Sequence, residues 1–157
     1  MPLGNLTSQF FANVYLHELD YFVKHKLKAR YYIRYVDDFV ILHSSKKQLK
    51  KRKEKISEFL QSELNIELHP QKSKIIPLSK GLDFVGFRNF YHYRLVRKRN
   101  IRKMRWKIDK LKNDRISYWK LMESFQGWQA YVKWANSFNL RKEILKEIYE
   151  VRKSMRP

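Results

Sequence analysis

Two runs of strand-forming residues, Tyr31-Tyr32-Ile33-Arg34-Tyr35-Val36 and Phe39-Val40-Ile41-Leu42, stand on either side of the acid pair Asp37-Asp38. Aromatic and β-branched residues favour strands, and so short a separation leaves only a tight hairpin to connect them. That order places both carboxylates at the turn. In a chain of formal net charge +20, acids at a hairpin tip do little for general solubility. They suit a place that holds a divalent metal against phosphate. An ordinary Asp-Asp hairpin turn is the bland alternative.

The charge narrows the partners. Lys and Arg number 35 against 15 Asp and Glu, an excess that strains a compact state through self-repulsion until a polyanion neutralises it. Nucleic acid is the leading partner and an anionic membrane surface the weaker one. With 43% apolar residues in 157, the chain can build a core for one domain, or two small ones sharing an interface. It has no cysteine, which excludes disulfides and thiolate-ligated zinc. No N-terminal apolar leader and no long apolar run is present, so a cytoplasmic setting is expected.

The periodicity predicts an α+β order. Thr7 to Leu27 carries Phe10, Phe11, Val14, Tyr15, Leu19, Phe22 and Val23 at helical steps, with Thr7 or Ser8 as a cap. Lys46 to Leu64 predicts a second amphipathic helix, whose basic run reads first as a solvated face. Ile66 to Leu68 and Ser73 to Leu78 are expected as short extended pieces. Leu82 to Phe90 and Tyr93 to Val96 predict a second hairpin, preceded by a turn at Lys80-Gly81. From Arg97 the period is helical, with helices near Ile101 to Leu111, Tyr118 to Asn136 and Leu140 to Met155. A boundary is expected near Val96. Trp106, Trp119, Trp128 and Trp134 could stack on bases, but their helical spacing places them first in the core.

Four motifs recur in a familiar order: Leu3-Gly4-Asn5-Leu6-Thr7-Ser8-Gln9, Tyr35-Val36-Asp37-Asp38, His69-Pro70-Gln71-Lys72-Ser73-Lys74 and Phe84-Val85-Gly86-Phe87. A basic helical segment closes the chain. Together they resemble reverse transcriptases of the bacterial and phage type, the group II intron, retron and diversity-generating retroelement enzymes. The Ser8-Gln9 ending is most similar to the retroelement branch. The resemblance implies part of a right-hand polymerase palm over residues 1–96, an antiparallel sheet with the YVDD hairpin and packed helices. A basic α-helical thumb follows over residues 97–157.

The resemblance also assigns roles. Asp37 would ligate Mg²⁺ directly and Asp38 in support, two ions serving nucleotidyl transfer of dNTPs to a primer 3′-hydroxyl. Lys72 matches a lysine that protonates the leaving pyrophosphate, though a plain surface lysine fits its context equally. Gly4, Asn5, Ser8, Gln9 and Tyr35 would meet the incoming nucleotide and template, with a capping loop and a packing aromatic as their alternatives. Phe84, Val85, Gly86 and Phe87 resemble the primer grip, where a glycine within a strand lets another backbone approach; a Gly-bent core hairpin competes. Arg97, Lys98, Arg99, Arg102, Lys103 and Arg105 would track phosphates. The implied partners are template RNA, a DNA primer or nascent cDNA, dNTPs and a small basic accessory protein, in a bacterial or phage-encoded system.

One departure stands out. The family's first catalytic Asp precedes the Gly4-to-Gln9 motif, and the fingers and first palm half are missing here. The expectation is therefore a C-terminal portion of a longer enzyme, inactive alone, with a hydrophobic edge and face left open on its sheet. A catalytically dead module that binds nucleic acid through the basic thumb is the alternative, and a maturase-like RNA-folding role ranks last.

Overall fold

The computed structural model of the chain describes residues 6–155. It divides into two compact units, Met1–Ile76 and Pro77–Pro157.

The first unit opens with α1 (Leu6–Tyr15) and α2 (His17–Tyr21), and α2 runs on into a π turn over Phe22–Lys26. The single helix predicted from Thr7 to Leu27 is thus interrupted at Leu16. Its end is widened, the Leu27 amide donating to the Phe22 carbonyl five residues back at 3.0 Å. Such a bulge re-aims the last turn. The hairpin follows: β1 (Tyr31–Tyr35) pairs antiparallel with β2 (Asp38–Leu42), Tyr31 opposite Leu42 and Tyr35 opposite Asp38. Then α3 spans Lys46–Leu64. The Ser45 side chain caps its start by accepting from the Gln48 amide, and Asn65 ends it in the left-handed conformation, φ 49°. These are the positions where serine and asparagine serve helices best.

Alternation sorts the hairpin's two faces. Tyr32, Phe39 and Ile41 pack on a core of Leu19, Val23, Ala29, Ile56, Leu60 and Leu64, and Phe22 stacks on Phe59 with centroids 4.2 Å apart. The opposite face shows Tyr31, Ile33, Tyr35 and Leu42 to solvent, and α1 exposes Phe10, Phe11 and Val14. The open apolar face expected from the sequence is therefore present. The sheet itself has two strands among the described residues. Neither Ile66 to Leu68 nor Ser73 to Leu78 joins a ladder.

The second unit starts with a three-residue 3₁₀ turn at Leu78–Lys80 and a meander of β3 (Leu82–Phe84), β4 (Phe87–Asn89) and β5 (Arg94–Val96). Three helices follow: α4 (Lys98–Lys112), α5 (Tyr118–Val132) and α6 (Phe138–Ser154). Met104, Ile108, Leu111, Leu121, Phe125, Val132, Ile144, Ile148 and Val151 fill the space between them. Trp128 joins them and donates from its indole nitrogen to Asn100 Oδ1 at 2.7 Å.

The meander belongs to this helical unit. Val96 lies in the helical core, and Phe87 stacks on Tyr131 of α5 at 4.8 Å. The division consequently falls before Pro77 rather than near Val96, because the apolar residues of β4 and β5 find their partners downstream. The long strand expected from Leu82 to Phe90 is two strands joined at Val85-Gly86, whose φ values of 47° and 80° make a tight turn. Gly86 is required there. A Cβ would strike the Tyr131 hydroxyl, so the close approach that a glycine permits is already taken by α5.

Candidate metal and nucleic-acid site

The turn that joins β1 to β2 consists of Val36 and Asp37, while Asp38 is already the first paired residue of β2. The acid pair therefore straddles turn and strand. Both acids are exposed, and neither carboxylate has an ion pair or hydrogen bond among the described residues. In a chain this rich in cations, two unpaired adjacent carboxylates are an unusual economy of charge. Hard oxygen donors of this kind suit Mg²⁺. They fit it in kind but are only two in number: no three acidic, His or Cys side chains converge among the described residues.

Val36 takes φ 55°. A two-residue hairpin turn asks for positive φ at this place, and glycine usually supplies it. A β-branched residue there costs on the order of 1–3 kcal/mol and persists only where its surroundings over-determine it. Arg34 is bonded to this turn. Its Nη1 donates to the Val36 carbonyl at 2.7 Å and to Asn13 Oδ1 of α1 at 3.0 Å. Its Nε and Nη2 reach the two carboxylate oxygens of Asp20 on α2, at 2.8 and 2.6 Å. Tyr32 completes the set, its hydroxyl donating to Asp20 Oδ1 at 2.6 Å.

The side chains of Arg34 and Asp20 are 10% and 28% exposed, so the pair is largely withdrawn from water. Burial pulls the Asp20 carboxyl upward, but the hydrogen bonds from Arg34 and Tyr32, with the guanidinium charge, outweigh it and hold the group below the ordinary carboxylate value. The hydrogen bond to Asp20 raises Arg34 above its usual range. Burial, then the Asp20 carboxylate, pushes the Tyr32 hydroxyl well up. All three are locked in one protonation state at neutral pH. Motif reading missed this network. Its only sequence signal is a lone Arg on the inward-facing side of β1, a charge that must find a buried partner.

The other expected residues are distributed as follows. Gly4 and Asn5 lie outside the described residues. Ser8 and Gln9 sit inside α1, half-buried and exposed respectively, so Ser8 belongs to the helix body. Tyr35 is exposed, opposite Asp38. Lys72 is exposed in the turn after His69, its amide donating to the His69 carbonyl at 3.2 Å.

In the second unit, Phe84 is half-buried, Val85 forms the exposed tip and Phe87 is buried. Of the basic cluster, Arg97 pairs with Asp83 at 3.2 Å, and Arg105 is held by Glu143 and Glu147 of α6. Lys98, Arg99, Arg102 and Lys103 are exposed on α4 with no ion pair among the described residues. One turn further along α4, Trp106 is 54% exposed, with the Lys110 ammonium 3.7 Å from its ring centre. The expectation that the tryptophans are core holds for Trp128 alone; Trp119 and Trp134 are 76% and 63% exposed. Helical spacing shows that residues share a face, not which face is covered.

The reverse transcriptase (RNA-dependent DNA polymerase) family matches this chain over residues 1–89, a span holding the acid pair, Lys72 and the first meander turn. Among curated proteins none matches.

Proposed function

The chain belongs to the reverse transcriptase family, and from that premise we propose that it is the palm and thumb part of an RNA-directed DNA polymerase. What carries this reading is the pair of exposed, unpaired carboxylates at a hairpin turn braced from behind by Arg34. Asp37 and Asp38 would hold Mg²⁺, and a further carboxylate from outside the described residues would complete the set. Bound there, Mg²⁺ would activate the primer 3′-hydroxyl and neutralise the departing pyrophosphate.

The chain's own groups supply orientation and charge. Tyr35, exposed beside the acids, would pack against the primer terminus. Ser8 and Gln9 would bond the incoming nucleotide or template. Lys72 would give a proton to pyrophosphate from its ammonium nitrogen. Phe84 to Phe87 would present Val85 to the primer, with Gly86 serving the turn. Lys98, Arg99, Arg102 and Lys103 would follow the phosphate backbone without reading sequence. Ser8-Gln9 supports the diversity-generating retroelement branch, hence bacterial or phage origin and a basic accessory protein. No helix among the described residues is long and apolar enough to cross a membrane.

The test is RNA-templated primer extension with Mg²⁺, by the chain alone and with a palm segment bearing a third carboxylate supplied in trans. We expect extension only in the second arm. Asp37→Ala should lower it by about a thousandfold, the scale on which a fixed charge-stabilising group acts. Extension that survives Asp37→Ala overturns the assignment. Two carboxylates without a third among the described residues favour one competing reading, a catalytically dead module that binds nucleic acid through α4. Its mark would be RNA binding indifferent to both Mg²⁺ and Asp37→Ala, with no extension in either arm.

A further inference from the structure

We propose that Arg34 is a positioning residue for the acid pair: it holds the β1–β2 turn in the left-handed conformation that presents Asp37, and Asp20 keeps its charge away from the acids. This rests on the reading of Asp37 and Asp38 as metal ligands.

Three observations converge on it. The first is the backbone at Val36, whose φ of 55° is adverse for a β-branched residue. Nothing in the sequence of the turn itself favours that conformation. The second is the hydrogen bond from Arg34 Nη1 to the carbonyl of that same residue, at 2.7 Å. It is charge-assisted, the stronger class of hydrogen bond, and drawn from a side chain only 10% exposed. The third is how completely the guanidinium is used. Asn13 takes one further donor, and Asp20 takes Nε and Nη2 through a bidentate fork.

The fork has a second effect. Arg34 is three residues from Asp37, and a freed guanidinium so close would be a ready counterion for that carboxylate. It would then compete with a metal ion for the same oxygens. Instead Arg34 lies on the inward face of β1 and forms its ion pair with Asp20, leaving Asp37 and Asp38 unpaired. A lysine at this position keeps the charge but has three donors on a single nitrogen, too few to replace the four hydrogen bonds that Arg34 makes to Asp20, Asn13 and the Val36 carbonyl.

The experiment uses the whole chain, with NMR readouts of the turn and of Mn²⁺ binding. Positive φ gives Val36 a strong intraresidue amide-to-α-proton cross-peak, which reports the turn without any metal. Mn²⁺ broadening of the amide signals of Val36 to Asp38 reports the acids, and Asp37→Asn calibrates it. Arg34→Lys should weaken the Val36 cross-peak. It should also cut Mn²⁺ affinity about tenfold, the equivalent of one charge-assisted hydrogen bond. Adding Val36→Gly, which makes the left-handed turn free of strain, should restore the part of the binding that depends on the turn to Arg34→Lys, the rest being lost to competition from the freed ammonium.

Should Arg34→Lys prove unfolded, Asn13→Ala loosens the same guanidinium and should give a smaller loss in the same direction. A folded Arg34→Lys protein with an unchanged Val36 cross-peak overturns the proposal. So does a loss of binding that Val36→Gly leaves wholly unrepaired. If Asp37→Asn broadens as the wild type does, the metal reading of the acids fails instead, and the Val36 cross-peak alone still decides the role of Arg34 in the turn.

Discussion

The molecule contains two tight hairpin turns built on the same awkward choice. Val36-Asp37 joins β1 to β2 and Val85-Gly86 joins β3 to β4, and in each the valine sits at positive φ, 55° and 47°. They differ in what holds them. The second turn is packed: Phe87 stacks on Tyr131, Arg94 lies over the Phe87 ring, and the space beside Gly86 is filled by the Tyr131 hydroxyl. The first turn is braced through polar groups alone, Arg34 with Asn13, Asp20 and Tyr32, and its outward side chains touch nothing charged. A turn held by packing answers to volume. A turn held by a partly buried ion pair answers to charge and geometry, and it leaves its outer surface free for a ligand.

The contrast should be clearest in stability. Gly86→Ala places a Cβ at positive φ and against Tyr131, and strain plus overpacking should cost about 2–5 kcal/mol in urea unfolding. Tyr131→Phe in the same chain should recover part of that by removing the hydroxyl. By comparison Asp37→Ala touches no packed atom and should stay within about 0.5 kcal/mol of wild type. An equal loss from both would erase the distinction.

Arg34→Met removes the first turn's brace and leaves Asp20 a withdrawn carboxylate without its cation. A fully buried pair broken in this way costs about 3–5 kcal/mol; the partial exposure of Asp20 puts the expected loss nearer 2. Amide exchange should show it concentrated at the β1–β2 ladder.

Acid should separate the two turns as well. The folded-state carboxyl of Asp20 lies below its ordinary value of 3.8. Its stabilisation is therefore complete above that value and is lost as pH falls through the lowered one. The β1–β2 amides should lose protection over that interval while the β3–β4 amides keep theirs, and Tyr32→Phe should shrink the drop. A smaller and opposite effect is expected of Val36→Gly, which relieves strain at a cost in chain entropy and should stabilise by about 1 kcal/mol.

How much of this was legible in the sequence depends on the range of the forces involved. Helix α3 was predicted at its observed limits from its amphipathic spacing, with Ile56, Leu60 and Leu64 on the buried face; the Ser45 and Asn65 caps, which carry the same signal in the sequence, went unread. The acid pair was legible because strand runs on both sides confine it to a hairpin. The break at Leu16 and the π turn were not, since apolar spacing tolerates a shift of one residue. Gly86 was read as a strand glycine because Val85 gives no turn signal. The Arg34 network joins residues far apart in sequence, and no local pattern announces such a pairing.

The two glutamates of α6 that engage Arg105, and the Asp83 that engages Arg97, alter what the basic helix does in solution. Binding to a polyanion is driven largely by the release of condensed counterions, roughly one for each phosphate that a protein cation neutralises. Cations already paired within the fold displace few. Lys98, Arg99, Arg102 and Lys103 have no ion pair among the described residues, so this cluster should contribute a salt exponent set by four charges rather than six, about −2.8 on single strands and −3.6 on duplex. On the proposed reading of α4 as a nucleic-acid contact, four free charges would give a moderate grip, one that lets a template be held and still moved along.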